Sequence, residues 1–170
     1  MNNFPFQHEG QTLWYSRSLA CNLVVIVTDR EGKNPKVLAC KRGQGCEFNK
    51  GLWNVPGGFI DFNENAINCA LRETFEETGM SVDEQDLHFL YLDTEPRSYR
   101  QTMVASHYAF FFEDDVKNWM VSFSNEHCEP GEVEEIRWIP LDEIDEYRWT
   151  NHQEYNIRAA WERIKYEKSF

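Results

Sequence analysis

Residues 66–78, AINCALRETFEET, constrain the fold most strongly, because their spacing predicts a helix whose two faces need opposite surroundings. At about 100° per residue, Glu73, Glu76 and Glu77 share one face that is about 100° wide. The opposite face carries Ile67, Leu71, Thr74 and Phe75. We therefore expect the helix to pack this second face on a sheet and to turn its carboxylates away from the sheet.

The flanking sequence predicts where this helix ends and what surrounds it. Asn65 is a typical N-cap residue, and Gly79 stands where a C′ glycine ends a helix. Strands are predicted at residues 20–28, 36–42, 87–95, 102–112 and 135–139, the first two as a hairpin, and a second helix at 151–168. Pro56-Gly57-Gly58 indicates a break, and 113–132 a polar connection. This order predicts an α/β sandwich with a mixed sheet, in one domain over residues 1–170 with its core at about 18–168.

The acidic face of the helix favours a metal site. Carboxylates at i, i+3 and i+4 repel one another, and no lysine or arginine follows any of them at four residues. At about 5.5 Å and an effective dielectric of about 20, each pair costs roughly 3 kcal/mol. A hard divalent cation such as Mg²⁺ would turn this repulsion into attraction, because it prefers oxygen ligands. The alternative is an acidic helix face that is only solvated.

The residues around the helix favour the metal site, because the segment 58–80, GFIDFNENAINCALRETFEETGM, resembles the Nudix box. The family pattern is G-x5-E-x7-R-E-U-x-E-E-x-G-U with U aliphatic, and all seven fixed polar and glycine positions match. A chance match anywhere in the chain is on the order of 10⁻⁵. Thr74 stands where the family usually has an aliphatic residue. Its methyl can be buried while its hydroxyl bonds a backbone carbonyl one turn back.

The resemblance implies a fold and a reaction. Residues 53–58, WNVPGG, are similar to the family's approach to the box, and residues 138–141, WIPL, to the strand that closes its sheet. The implied fold is the α/β/α Nudix sandwich, with the box as a loop–helix–loop. The implied reaction is attack of water on phosphorus in a nucleoside diphosphate linked to another group, with metal ions neutralising the anhydride oxygens.

The resemblance also implies roles for single residues of the box. The implied metal ligands are Glu73, Glu76, Glu77 and the carbonyl of Gly58, with Mg²⁺ as the cofactor and Mn²⁺ as a substitute. Arg72 is expected to pair with Glu64 or to orient Glu73.

Two features of the sequence favour ADP-ribose or NADH as the substrate. Phe59 follows the double glycine where branches that cleave oxidised nucleoside triphosphates often have lysine. Pro96 stands one residue away from a proline spacing associated with ADP-ribose hydrolases. The side chains considered for substrate binding are Trp53, Phe48, Phe59, Arg97, Tyr99 and Arg100, although core packing or an exposed loop would also account for most of them. The alternative functions are a nucleoside triphosphate pyrophosphohydrolase and a non-catalytic nucleotide sensor, which would usually have lost box carboxylates.

The sequence leaves two places open for the general base. Glu73 lies in the box, but a carboxylate bound tightly to Mg²⁺ has a depressed pKa and is a poor proton acceptor. The connection before the last predicted strand carries Glu126, Glu129 and Glu132, and a loop glutamate can reach the attacking water when its loop closes. Solvation alone would also explain an acidic loop.

Charge and cysteine usage restrict the partners and the compartment. A net charge of −12 argues against a nucleic-acid partner, and therefore against an RNA pyrophosphohydrolase, but allows an anionic small-molecule substrate that binds through divalent cations. No apolar run is long enough for a membrane span, and the N-terminus lacks the pattern of a secretory signal. Five scattered cysteines without a CxxC pair predict free thiols in a reducing cytoplasm. A homodimer is one assembly that the sequence allows.

Overall fold

A computed structural model describes residues 3–96 and 102–170 of the protein. Its strands are Phe4–His8 (β1), Gln11–Tyr15 (β2), Leu19–Thr28 (β3), Lys36–Arg42 (β4), Trp53–Asn54 (β5), Gly57–Phe59 (β6), His88–Asp93 (β7), Met103–Phe112 (β8) and Val133–Pro140 (β9). Its helices are Ala66–Thr78 (α1), Lys117–Val121 (α2) and Gln153–Lys168 (α3), with short 3₁₀ turns at Glu84–Asp86, Glu113–Val116 and Ile144–Glu146. None of the described helices is long and apolar enough to cross a bilayer.

The seven strands from β3 to β9 form the mixed sheet that the sequence predicts. Its order is β5-β4-β3-β8-β7, with β6 paired to β3 and β9 paired to β4. The pair β3 and β8 runs parallel over ten residues of each strand, whereas the other pairs in this sheet are antiparallel. The predicted hairpin of β3 and β4 is confirmed.

Helices cover both faces of the sheet, because the apolar run of β3 offers side chains to each face in alternation. Leu23 and Val25 belong to a core cluster that includes Cys69 and Ala70 of α1. The intervening Val24 lies in a second cluster, in which Ile26 joins Ile157, Ala160 and Ile164 of α3. The predicted α/β/α sandwich is confirmed, and the sheet carries α1 on one face and α3 on the other.

Helix α1 has the predicted bounds because local residues set both of its ends. The side chain of Asn65 accepts a hydrogen bond from the amide of Asn68 at 2.8 Å. Gly79 has a left-handed φ of 74°, and its amide donates to the carbonyl of Phe75 at 2.7 Å. The hydroxyl of Thr74 donates to the carbonyl of Ala70 at 2.7 Å, which is the back-bond expected for this position.

The structure adds local detail to two of the sequence predictions and contains one element that was not predicted. The break predicted at Pro56-Gly57-Gly58 is confined to residues 55 and 56, since Gly57 and Gly58 begin β6 and pair with Asn22 and Cys21 of β3. A Cβ on Gly57 would overlap the carbonyl of Cys21, so only glycine permits this approach. The polar connection 113–132 contains α2, and the hairpin of β1 and β2 was not predicted at all.

Candidate active site

Arg72 of α1 lies in the middle of an acidic cluster, which consists of Glu64, Glu73, Glu76 and Glu77. Its guanidinium bonds Glu64 through two nitrogens, at 2.9 and 3.0 Å, and also bonds Glu73 at 2.8 Å and Glu76 at 2.9 Å. A further bond of 3.1 Å reaches the carbonyl of Phe59, the last residue of β6. The bond from Arg72 lowers the pKa of Glu64. Arg72 therefore pairs with Glu64 and holds Glu73 at once, the two roles that the family resemblance offered as alternatives.

Arg72 also corrects the expectation that the three carboxylates repel one another without relief. The compensating cation does not follow a glutamate by four residues, since Arg72 stands one residue before Glu73 and four before Glu76. Only Glu77 has no bond to the guanidinium among the described contacts. Its carboxylate accepts a bond from the amide of Gly57 at 3.2 Å instead.

Glu77 is the most deeply buried carboxylate of the site, with 2% of its surface exposed. Burial raises its pKa well above the usual range, and the charges of Glu73 and Glu132 raise it further. Burial also raises the pKa of Glu73. Two carboxylates are therefore held out of water beside each other, and a bound cation would stabilise both as anions.

The buried face of α1 differs from the predicted one. Its buried residues are Cys69, Ala70, Thr74, Glu77 and Thr78, whereas Phe75 is 38% exposed. The aromatic ring of Phe75 stacks on His127 at a centroid distance of 4.7 Å. The carboxylates do not all point away from the sheet, because Glu73 lies against Gly58 of β6 and Glu77 accepts a bond from the amide of Gly57.

The donor atoms around Glu73 and Glu77 fit a hard divalent cation in kind. Carboxylate oxygens are the ligands that Mg²⁺ prefers, and a Cβ on Gly58 would overlap the Glu73 carboxylate, so the backbone of β6 lies directly against it. In the described part of the chain, no three His, Cys, Asp or Glu side chains are grouped closely enough to hold one ion. The reason is that Arg72 holds Glu73 and Glu76 while Glu77 faces Gly57.

The three loop glutamates differ in their position relative to the box. Glu126 and Glu129 are exposed, and Glu126 lies 3.6 Å from the ring of His127. Glu132 is half-buried, and its charge acts on both Glu73 and Glu77. Its carbonyl accepts a bond of 2.7 Å from the amide of Gly43, which fixes the backbone at this end of the loop. Glu132 is therefore the loop glutamate that stands beside the box.

A cavity of about 230 Å³ lies beside β6. Gly57 and Gly58 form part of its wall, so the strand that touches Glu73 and Glu77 also faces the cavity. Its other lining residues include Arg42, Phe48, Asn22, Asn54, Tyr91, Asp93, Gln153 and Asn156. Strand β6 is thus the element that the cavity and the carboxylates share.

The aromatic and basic residues proposed for substrate contact are distributed differently. Trp53 is 7% exposed and packs edge-on against Tyr147 in the second core cluster, so its assignment to substrate binding is corrected to a core role. Phe48 is 66% exposed and lines the cavity, and Phe59 is 60% exposed beside the box. Arg97, Tyr99 and Arg100 lie outside the described residues.

Sequence reasoning missed Arg42, Asn22 and Asn54. The two asparagines had a signal, since each is an uncharged polar residue in an apolar strand, ACNLVV and WNV. Arg42 had none, because a basic residue at the end of a strand is common on protein surfaces.

Comparison with known families agrees with this geometry. A family model described as NUDIX domain matches residues 20–160 of the 170-residue chain. The chain belongs to the Nudix family. The resemblance carried by residues 58–80 is therefore confirmed, and the match extends from β3 into α3.

Curated relatives of this Nudix chain are named as hydrolases of nucleotide derivatives. The RNA pyrophosphohydrolase of Bartonella henselae is 26% identical over 82% of the chain. The NAD-capped RNA hydrolase NudC of Vibrio cholerae is 24% identical over 65%, and the peroxisomal coenzyme A diphosphatase ndx-8 of Caenorhabditis elegans is 29% identical over 79%. The chain spans 78%, 36% and 53% of these relatives' lengths. The expected class, a Nudix hydrolase, is confirmed.

Solved structures show the same fold. The NUDIX domain of Shewanella oneidensis NrtR in complex with ADP ribose superposes with a TM-score of 0.69 at 19% identity, covering 88% of this chain and 90% of that one. A mutT/nudix family protein from Listeria innocua gives a TM-score of 0.68 at 21% identity, covering 91% and 99%. Nudix hydrolases generally use divalent metal ions, which agrees with the carboxylate donors of α1.

Proposed function

We propose that this Nudix domain hydrolyses a phosphoanhydride bond of a nucleoside diphosphate derivative with the help of Mg²⁺. The observation that carries the proposal is the double contact of β6: Gly57 and Gly58 touch the carboxylates of α1 and also line the cavity. A substrate that places its nucleoside half in the cavity would bring its diphosphate to the carboxylates.

The box residues supply the ligands for the metal in this proposal. Glu73, Glu76, Glu77 and the carbonyl of Gly58 would hold Mg²⁺, or Mn²⁺ in its place. When bound, the ion neutralises the anhydride oxygens and lowers the pKa of a bound water. Arg72 keeps its two bonds to Glu64 and thereby anchors the loop before α1 to the helix.

We assign the general base to Glu132. It lies near both Glu73 and Glu77, and it has no ion pair among the described contacts. Glu73 is a poorer candidate, because Arg72 bonds it and the metal would depress its pKa. Glu126 and Glu129 are exposed, whereas Glu132 is half-buried.

For the substrate we propose ADP-ribose or NADH, with release of AMP. Phe59 after the double glycine supports this, and so do two similar proteins, one solved with ADP ribose and one named for NAD-capped RNA. The competing function is pyrophosphohydrolysis of a nucleoside triphosphate.

The test is a hydrolysis screen with product masses. The substrates are ADP-ribose, NADH, nucleotide sugars, dinucleoside polyphosphates, oxidised deoxynucleoside triphosphates, and RNA with a triphosphate or NAD at its 5′ end. We expect the highest kcat/KM with ADP-ribose or NADH. A preference for a triphosphate, with release of pyrophosphate, would reject the substrate assignment, and tight ADP-ribose binding without turnover would indicate a sensor.

The remaining assignments concern the surroundings of the enzyme. All five cysteines are free thiols, as predicted, which supports a reducing cytoplasmic location. The net charge of −12 still argues against a nucleic-acid partner, although two relatives are named for RNA substrates and NrtR was solved with a 27mer DNA. The RNA arms of the screen test that prediction, and light scattering tests the homodimer.

A further inference from the structure

The hairpin of β1 and β2 stands apart from the rest of the fold. In the described part of the chain its two strands pair only with each other, and neither core cluster includes any of their residues. Its base is fixed to the body of the domain. The guanidinium of Arg17 donates to the carbonyl of Thr94 at 2.6 Å, and the carbonyl of Ser18 accepts a bond of 2.9 Å from the amide of Met103. A two-stranded hairpin on its own is marginally stable in water, so this one needs a further surface to pack against.

One face of the hairpin is apolar and carries no charge. The register places Phe4 opposite Tyr15 and Phe6 opposite Leu13. Residues that lie opposite each other, or two apart in one strand, share a face of the sheet, so these four side chains lie together. The rings of Phe4 and Tyr15 stack at a centroid distance of 5.0 Å.

The area of this face suits an interface between proteins. Phe4, Phe6 and Tyr15 are 46%, 42% and 55% exposed. Because an aromatic side chain buries about 150–250 Å² when it is fully covered, the three rings leave roughly 300 Å² per copy in contact with water. A stable interface buries about 800 Å² per partner, and a little over half of that area is apolar. The rings therefore supply most of the apolar surface that such an interface needs.

The charge of the hairpin favours a second copy of this chain as the partner. Residues 3–18 contain one acid, Glu9, and one base, Arg17, so this segment has no net charge although the whole chain has −12. Two copies repel each other least when they meet through this segment, whereas a basic partner would be attracted to the acidic remainder of the chain. An uncharged apolar face is also complementary to itself, which a twofold contact requires.

We propose that the apolar faces of two hairpins pack on each other and join two copies of the chain into a homodimer. Each copy covers the exposed rings of the other, so both hairpins gain the packing that a single hairpin lacks. The contact lies before residue 20, where the match to the family model begins, and it leaves the acidic cluster of α1 uncovered. The proposal therefore adds an interaction surface to the hydrolase and is independent of its substrate.

Sedimentation equilibrium of the full chain at about 1–100 µM tests the proposal, because interfaces of standard size bind with micromolar or higher affinity. We expect the mass to rise with concentration from 20.2 kDa, the mass of one chain, towards twice this value. Added salt should lower the dissociation constant of the dimer. The reason is that salt screens the repulsion between two acidic chains and weakens no ion pair in an uncharged interface.

Tyr15→Asp places a charge on the apolar face and should raise the dissociation constant at least about tenfold. Thr12→Asp is the matched control, because it adds the same charge to the same strand on the opposite face, where the hydroxyl of Thr12 accepts a bond of 2.8 Å from Gln7. Its dissociation constant should stay within about threefold of that of the unchanged protein. Tyr166→Asp, at an exposed position of α3, controls for the loss of a tyrosine and should have as little effect.

A constant mass of one chain over the whole concentration range would overturn the proposal, whatever the variants do. A dimer that Tyr15→Asp leaves intact, that Thr12→Asp weakens equally, or that salt dissociates would also overturn it, because the copies would then meet through another surface. None of these results bears on the proposed hydrolysis, which the substrate screen tests separately.

Discussion

Glu77→Gln should have opposite effects on stability with and without Mg²⁺. In the metal-free protein at pH 8, Glu77 is either an anion out of water or an acid that had to take up a proton, and each state costs free energy. A neutral amide of the same size avoids both costs. Its oxygen can still accept the bond from Gly57, which is 3.2 Å long in the unchanged protein.

The magnitude follows from the position of Glu77 beside Glu73. At about 5.5 Å and an effective dielectric of about 20, their repulsion is roughly 3 kcal/mol, which is an upper limit for the part of the gain that comes from Glu73. The bond from the amide of Gly57 is no longer charge-assisted in the variant, which offsets about 1 kcal/mol of this gain in stability. A net gain of about 1–2 kcal/mol raises the Tm of a chain of this size by roughly 2–8 °C.

With Mg²⁺ the unchanged protein should be more stable than the Glu77→Gln variant. At a free concentration about 100 times the Kd, the ion stabilises the unchanged protein by about 2.7 kcal/mol, and the variant that lacks a ligand should gain little. The assay is differential scanning calorimetry with chelator and with Mg²⁺. Glu162→Gln, an exposed change on α3, is the control and should stay within about 0.5 kcal/mol in both conditions. A lower Tm of Glu77→Gln in chelator, or an undiminished Mg²⁺ shift, would refute the reasoning.

Three further predictions concern turnover. Glu76→Gln, or excess chelator, should lower kcat by at least about a hundredfold, and Mg²⁺ or Mn²⁺ should restore the chelated enzyme; full activity in chelator would contradict the metal site. Glu132→Gln should lower kcat by about a hundredfold with unchanged metal affinity. The same change at the two exposed loop glutamates should leave kcat near normal. A near-normal kcat of Glu132→Gln would instead make Glu73 the leading candidate for the base. Gly43→Ala should lower kcat and should lower the free energy of unfolding by about 1–3 kcal/mol, which a reduced Tm would report. The reason is that its Cβ would overlap the carbonyl of Gly131 and displace the loop that carries Glu132. Unchanged kinetics would show that the loop position does not matter.

The parts of the fold that could be predicted from the sequence are those that local chemistry determines. Helix α1 begins and ends as predicted, since the side chain of Asn65 and the left-handed backbone of Gly79 act within one turn. Strand β3 was also predicted within one residue, because an apolar run of that length is typical of a strand buried on both faces.

The N-terminal hairpin was missed although its turn has the expected backbone. Glu9 and Gly10 both have positive φ, 48° and 78°, as a two-residue hairpin turn requires. Asparagine or aspartate is the usual residue before the glycine in such turns, so glutamate conceals the signal.

The side of α1 that is buried could not be predicted, because distant segments determine it. Helical periodicity placed Phe75 inside and Glu77 toward the outside, and the structure has the reverse, with 38% and 2% exposure. Periodicity compares hydrophobicity around one helix and contains no information about β6 or residues 122–132. Burying a carboxylate is unfavourable for stability. A prediction that places apolar residues inside therefore assigns Glu77 to the surface.

Arg72 explains how such a helix can fold before any metal binds. Its guanidinium supplies the positive charge for Glu64, Glu73 and Glu76 through bonds of 2.8 to 3.0 Å, which leaves Glu77 as the box carboxylate with no bond to it among the described contacts. A divalent ion would then have to draw Glu73 and Glu76 away from Arg72, while the paired bonds to Glu64 keep the guanidinium in place. In the proposed site, Arg72 and Glu64 are not metal ligands and would make the exchange reversible, because the same arginine could take the carboxylates back when the ion leaves. The proposed site would then serve function at the expense of stability, with the cost concentrated in Glu77, and the Glu77→Gln variant measures that cost.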